Sequence, residues 1–182
     1  MSPDASLQHL FEKLVSNIDN WAINTKCLII LHRGLQNIKV NRKIYRDLKD
    51  REHLLHPYEP KPGKEPGMAC RTYAEISQSY TNYLKVFLGL AHKTDILTKR
   101  MNRLTEEVHA LRDVQLLKNS EHFETCLSQG LKQLRWLSTC RQTRLWSNFV
   151  FMVFKDITKI YKVYACHVTE LLDRFPKLSK QD

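Results

Sequence analysis

The chain has 182 residues, 42% of them hydrophobic and 26% charged, which is long and apolar enough for a sizeable core and excludes a disordered chain. A formal charge of +10 and a pI near 9.5 favour anionic partners: a membrane surface, nucleic acid or an acidic protein. Only five glycines and six prolines punctuate the sequence, and four of the prolines fall in one stretch, which favours an all-α fold.

In chain order, residues 4–18 read as an amphipathic helix. Asp4 is its N-cap, and Leu7, Leu10, Phe11, Leu14, Val15 and Ile18 form one stripe. The next helix, Asn20 to about Asn37, is apolar over most of its circumference. Lys26, Arg33 and Asn37 mark its one polar stripe, the pattern of a helix in the middle of a bundle. Lys39–Leu55 is strongly basic. Lys39, Arg42, Lys43 and Arg46 lie at i, i+3, i+4 and i+7, and we take this face as the candidate lipid- or anion-binding site. The Pro- and Gly-rich run at about 56–68 reads as a surface loop within one domain.

A helical pattern returns at about Ala69 and is carried by Tyr80, Tyr83, Leu84, Phe87, Leu88 and Ala91. His92–Arg103 reads as a basic helix–turn region, and Leu104–Leu117 is helical in composition but weakly periodic. About Glu121–Cys140 follows as a helix, with Phe123, Leu127, Leu131, Leu134 and Leu137 in phase. The last stretch, Arg144–Phe175, sustains a helical period for about eight turns. Its stripe of aromatic and aliphatic residues is so wide that several other helices must lie along it, and Lys155, Lys159 and Lys162 share the opposite face. We expect Trp21, Leu28, Leu31, Leu134, Phe154, Ile157, Tyr161 and Leu171 to be mostly buried. Asp156 sits beside the stripe and reads as a hydrogen-bonded structural acid, since one carboxylate makes no acid/base pair.

No phosphate-cradling glycine loop, GxSxG or HExxH occurs, so no enzyme activity is expected. His53 and His56 are half a metal site at best, with no third ligand nearby, and neither metal nor cofactor is expected. Cys27 and His32 are five apart on a helix and point about 140° apart, too far to activate one another. The five cysteines show no CxxC pairing and read as reduced thiols of an intracellular protein. The first twenty residues contain Asp4, Glu12, Lys13 and Asp19, unlike a signal peptide, and no run approaches the roughly 18 apolar residues of a membrane span.

Four blocks, in order, carry a resemblance. Trp21, Lys26 and His32 lie in the second helix, and Tyr80, Tyr83 and Leu84 form a YxxYL pattern. Leu131, Leu134 and Leu137 run into Cys140 and Arg141. Lys155, Asp156, Ile160, Tyr161, Leu171, Leu172, Asp173, Arg174 and Phe175 form the last block. Together, over about residues 7–178, the chain resembles the ANTH domain of clathrin coat assembly proteins. The resemblance implies a superhelical, solenoid-like stack of antiparallel α-helices, with residues 1–182 as one domain. It implies a cytoplasmic, membrane-peripheral adaptor of clathrin-coated pits and vesicles, whose partners are clathrin coat machinery, phosphoinositide membranes and, in some members, SNARE cargo.

Two departures shape the expectation. The family's lysine-rich phosphoinositide motif precedes its tryptophan helix, and here only the helix of residues 4–18 does so. Lipid binding is therefore expected to be weak, and self-association through the N-terminal end is expected where apolar surface has lost its cover. LLDRF at 171–175 resembles a clathrin box without its acidic end and reads as core. The rival readings are a basic helical nucleic-acid-binding module and a protein-interaction scaffold. Against the first, the basic residues are scattered and the aromatics lie in core stripes.

Overall fold

The computed structural model describes residues 3–37, 41–49, 51–61, 68–97, 99–136 and 144–178. Among these there is no strand; the chain is an all-α stack. Helix α1 spans Pro3–Ser16 and α2 spans Trp21–Gln36, with Asn20 capping α2 by accepting from the Ile23 amide at 3.2 Å. Helix α3, Asn41–Lys49, is short, and a 3-10 turn at Glu52–Leu54 follows it. Helix α4 is Met68–Thr94, α5 is Met101–Glu107, α6 is Asp113–Leu134 and α7 is Arg144–Leu178.

Side-chain pairings fix the directions. Trp21 meets Tyr73 and Trp146, and His32 meets Tyr80 and Asp156, so α2, α4 and α7 run the same way. Phe123 packs on His167, and Gly130 lies against Ile157, so α6 runs antiparallel to α7. At Gly130 the helices approach so closely that an added Cβ would lie 2.7 Å from Ile157 Cγ1 and 3.3 Å from Tyr83 Cε2. One continuous core joins Phe11 and Leu14 of α1, Leu28 and Leu31 of α2, Tyr80 and Tyr83 of α4, Phe123 of α6, and Phe149 and Val153 of α7.

Several expectations need correction. Within the basic stretch Lys39–Leu55, the α-helix covers Asn41–Lys49 and Glu52–Leu54 is a 3-10 turn. The loop does not simply cross the surface: Tyr58 is buried, and its amide donates to Ser77 Oγ at 2.7 Å. Residues 113–117 belong to the same helix as Glu121, so α6 is one element. Leu137, Cys140 and Arg141 lie outside the described residues. The turn after α4 is made by Asp95 at φ 53°, a left-handed conformation that Asp tolerates better than most residues.

The phase of α7 is the main correction. Leu28, Leu31 and Ile157 are buried as expected, while Trp21, Leu134 and Leu171 are half-buried. Phe154 is 55% and Tyr161 61% exposed. The arc turned to the core holds Phe149, Val153, Asp156, Ile160, Val163 and His167. The apolar stripe of α7 is wider than the neighbouring helices cover, so its centre does not mark its buried side. In LLDRF, Leu172 and Phe175 are exposed, so this segment is not core as a whole. Its anchor is Arg174, which donates to Asp113 at 2.8 Å, to Glu170 at 2.6 Å, and to the carbonyls of His109 and Leu111.

Candidate anion and membrane interface

Helix α3 is held in place at its polar ends. Buried Asn41 donates to the Leu97 carbonyl, and Tyr45 Oη pairs with His92 Nδ1 at 2.9 Å, tying the helix to the end of α4 and the turn beyond it. Gly34 of α2 lies against Ile44. This packing leaves Arg42 and Arg46 exposed one turn apart on the same face, with Lys43 half-buried and offset by about 100°. Lys39 lies outside the described residues. The described members of the expected basic face therefore form a narrow row rather than a pocket.

Beside α3 is a cavity of about 140 Å³, lined by Gln36, Asn41, Lys99, Lys155, Asp156 and Lys159 among others. Three lysines reach it, yet two are engaged. Lys99 is held by Asp95 at 3.1 Å and Glu107 at 2.6 Å, and the hydrogen bond to Glu107 raises its pKa. Lys159 donates to the Ile96 carbonyl, and burial lowers its pKa. Lys155 is exposed at the rim. The shared lysine face of α7 is thus divided: Lys155 and Lys162 face outward, and Lys159 turns towards the α4–α5 turn. Sequence spacing pointed to these lysines, but gave no sign that α3 and residues 96–99 would come beside them.

Below the cavity is a buried polar network. Asp156, 5% exposed, accepts from Tyr83 Oη at 2.9 Å and from Gln36 Nε2 at 2.7 Å, and lies 2.5 Å from His32 Nε2. His32 Nδ1 in turn lies 2.9 Å from Tyr80 Oη. Burial, then the Asp156 charge, pushes both tyrosine hydroxyls well above their ordinary pKa, so they stay protonated as donors. Desolvation also pushes the Cys126 thiol up to about 12. His32, Tyr80 and Tyr83 are enclosed by protein while Asp156 and Gln36 also line the cavity above, and the hydrogen bonds tie α2, α4 and α7 together as a structural lock. His53 and His56 sit near the 3-10 turn, and among the described residues no three His, Cys, Asp or Glu side chains are grouped to hold a metal. Among those residues, too, no helix is long and apolar enough to cross a membrane.

His32, Tyr80, Tyr83 and Asp156 come from three of the four sequence blocks and meet in one lock, which is what a shared fold requires of a shared pattern. The profile of the ANTH domain matches residues 2–182. The chain belongs to the ANTH family. No curated protein and no solved structure matches it. ANTH domains are non-enzymatic adaptors of the clathrin endocytic machinery, with phosphoinositide binding as a property of the family and an association with clathrin-coated pits. In this ANTH chain His32, Tyr80, Tyr83 and Asp156 tie α2, α4 and α7 together, and the exposed cations Arg42, Arg46 and Lys155 supply the outward positive charge near α3.

Proposed function

We propose that residues 1–182 form a single ANTH domain that serves as a cytoplasmic, membrane-peripheral coat adaptor. It meets phosphoinositide membranes through the basic face of Lys39, Arg42, Lys43 and Arg46, joins clathrin coat machinery, and takes SNARE cargo. The family match along the chain carries this reading, and the outward Arg42 and Arg46 support the placement. A row of cations attracts an anionic surface by on the order of 1 kcal/mol per residue and is screened within about 8 Å at physiological salt. Binding is therefore weak, salt-labile and governed by total lipid charge. Exposed Val15 and Ile30, at 44% and 54%, are apolar surface for self-association through the N-terminal end.

The test is co-sedimentation with liposomes of matched charge, with and without phosphatidylinositol bisphosphate, across a salt series. Binding that falls with salt and disappears in Arg42→Glu/Lys43→Glu supports the reading. Tight, headgroup-selective binding that survives moderate salt and ignores this substitution contradicts the placement and moves the site towards Lys99 and Lys155. Absence of any binding to either liposome contradicts the membrane role itself.

A further inference from the structure

The turn after α4, the α5–α6 corner and α7 enclose a cavity of about 360 Å³, a volume in the range of small-molecule sites. Its lining includes the buried apolar side chains of Leu104, Phe123 and Val163. One polar group among them is unmet. His167 also lines the cavity and is 3% exposed, and its Nδ1 lies 2.9 Å from the Val163 carbonyl. A carbonyl only accepts, so Nδ1 carries the proton and Nε2 presents a lone pair. Because Nδ1 is turned back on the backbone of its own helix, the Nε2 edge of the ring points away from α7. Among the described residues this buried nitrogen has no hydrogen-bond partner. Buried acceptors are nearly always paired, so this one calls for a donor.

The rim of the cavity is positive. Lys93 and Arg112 are exposed there, and among the described residues neither is in an ion pair. The two carboxylates of the rim, Asp95 and Glu107, are both taken by Lys99, at 3.1 and 2.6 Å. We infer that this cavity is a binding site for a small aromatic anion, whose N–H or O–H group donates to His167 Nε2 and whose phosphate or carboxylate is held by Lys93 and Arg112. The lining selects the ring: a polyol phosphate would set unpaired hydroxyls against Leu104, Phe123 and Val163. The rim selects the charge, since two unpaired cations make charge-assisted hydrogen bonds to an anionic group. The site shares no residue with the basic face of α3 and does not depend on lipid binding there.

The probe is para-aminophenyl phosphate, titrated onto the full chain by calorimetry. Saturable binding is expected. Phenyl phosphate, which lacks the donor, and aniline, which lacks the anion, should each bind about tenfold more weakly. Lys93→Gln/Arg112→Gln, at exposed positions, should weaken both phosphates about tenfold. His167→Phe should bring para-aminophenyl phosphate down to the affinity of phenyl phosphate and leave phenyl phosphate unchanged. Because His167 is buried, the wild type supplies a second readout: the Nε2 nitrogen resonance should shift with para-aminophenyl phosphate and not with phenyl phosphate. The inference is overturned if no saturable binding occurs, which leaves a water as the occupant. It is overturned equally if the amino group adds nothing to affinity and the Nε2 resonance does not move, or if inositol monophosphate binds as tightly. Loss of binding in Arg42→Glu/Lys43→Glu, with Lys93→Gln/Arg112→Gln unaffected, overturns it by placing the anion on α3. No result with these soluble probes decides the liposome test of α3.

Discussion

His32 Nε2 and Asp156 Oδ2 lie 2.5 Å apart in the centre of the stack although 124 residues separate them in sequence. The pair joins α2 to α7, and Tyr83 joins α4 to the same carboxylate. Removing one member leaves the other buried without its partner. Asp156→Ala should lower stability by about 3–5 kcal/mol, the range for breaking a buried pair, as measured by urea unfolding. In a double-mutant cycle, His32→Ala added to Asp156→Ala should cost much less than either single change predicts. Additive losses would show that the two side chains do not act together.

The exposed side and the buried arc of α7 make opposite predictions for aromatic residues only five positions apart. Phe149→Ala should cost about 3–5 kcal/mol, because the ring is fully buried against Tyr80 and Trp146. Phe154→Ala should change stability by about 0.5 kcal/mol or less, as at other surface positions. Equal losses in thermal or urea unfolding would mean that the helix is rotated from the phase described.

Gly130 tests the close approach of α6 to α7. Gly130→Ala places a methyl group 2.7 Å from Ile157 Cγ1, and the strain should cost about 1–3 kcal/mol. Ile157→Ala removes the obstructing atoms, so the same Gly130→Ala change in that background should be close to neutral.

His167 gives the fold a pH dependence. The residue is buried, and burial lowers its folded pKa below the ordinary histidine value, with the hydrogen bond to the Val163 carbonyl opposing in part. Below about pH 6.5 the unfolded chain binds a proton that the folded chain resists. The stabilisation is therefore present above the unfolded pKa and is lost as pH falls through the folded pKa. The urea midpoint should fall more steeply between pH 8 and pH 5.5 in the wild type than in His167→Gln, and the difference between the two slopes isolates this residue.

Thiol reactivity reads the same packing. Cys27 and Cys126 are buried, and the Cys126 thiol is pushed up to about 12, while Cys166 is half-buried on α7. At pH 8 native protein should alkylate at Cys166 before Cys27 or Cys126, with the buried pair reacting only after denaturation, as followed by peptide mass spectrometry. Early labelling of Cys126 would mean that the α4–α6–α7 core opens readily.

Residue spacing alone determined the all-α class, the long final helix and the placement of Trp21, His32, Tyr80, Tyr83 and Asp156 on three helices. Apolar periodicity is a local property, and each helix displays its own. The sequence also carried the family pattern, which the ANTH profile matches over residues 2–182. It could not show that His32, Tyr80, Tyr83 and Asp156 meet, since their encounter depends on how α2, α4 and α7 align across more than a hundred residues. Nor could it divide the wide stripe of α7 into a buried arc and an open side. Hydrophobicity records what a side chain avoids, whereas burial depends on which neighbour arrives to cover it, and that was decided by the tertiary structure.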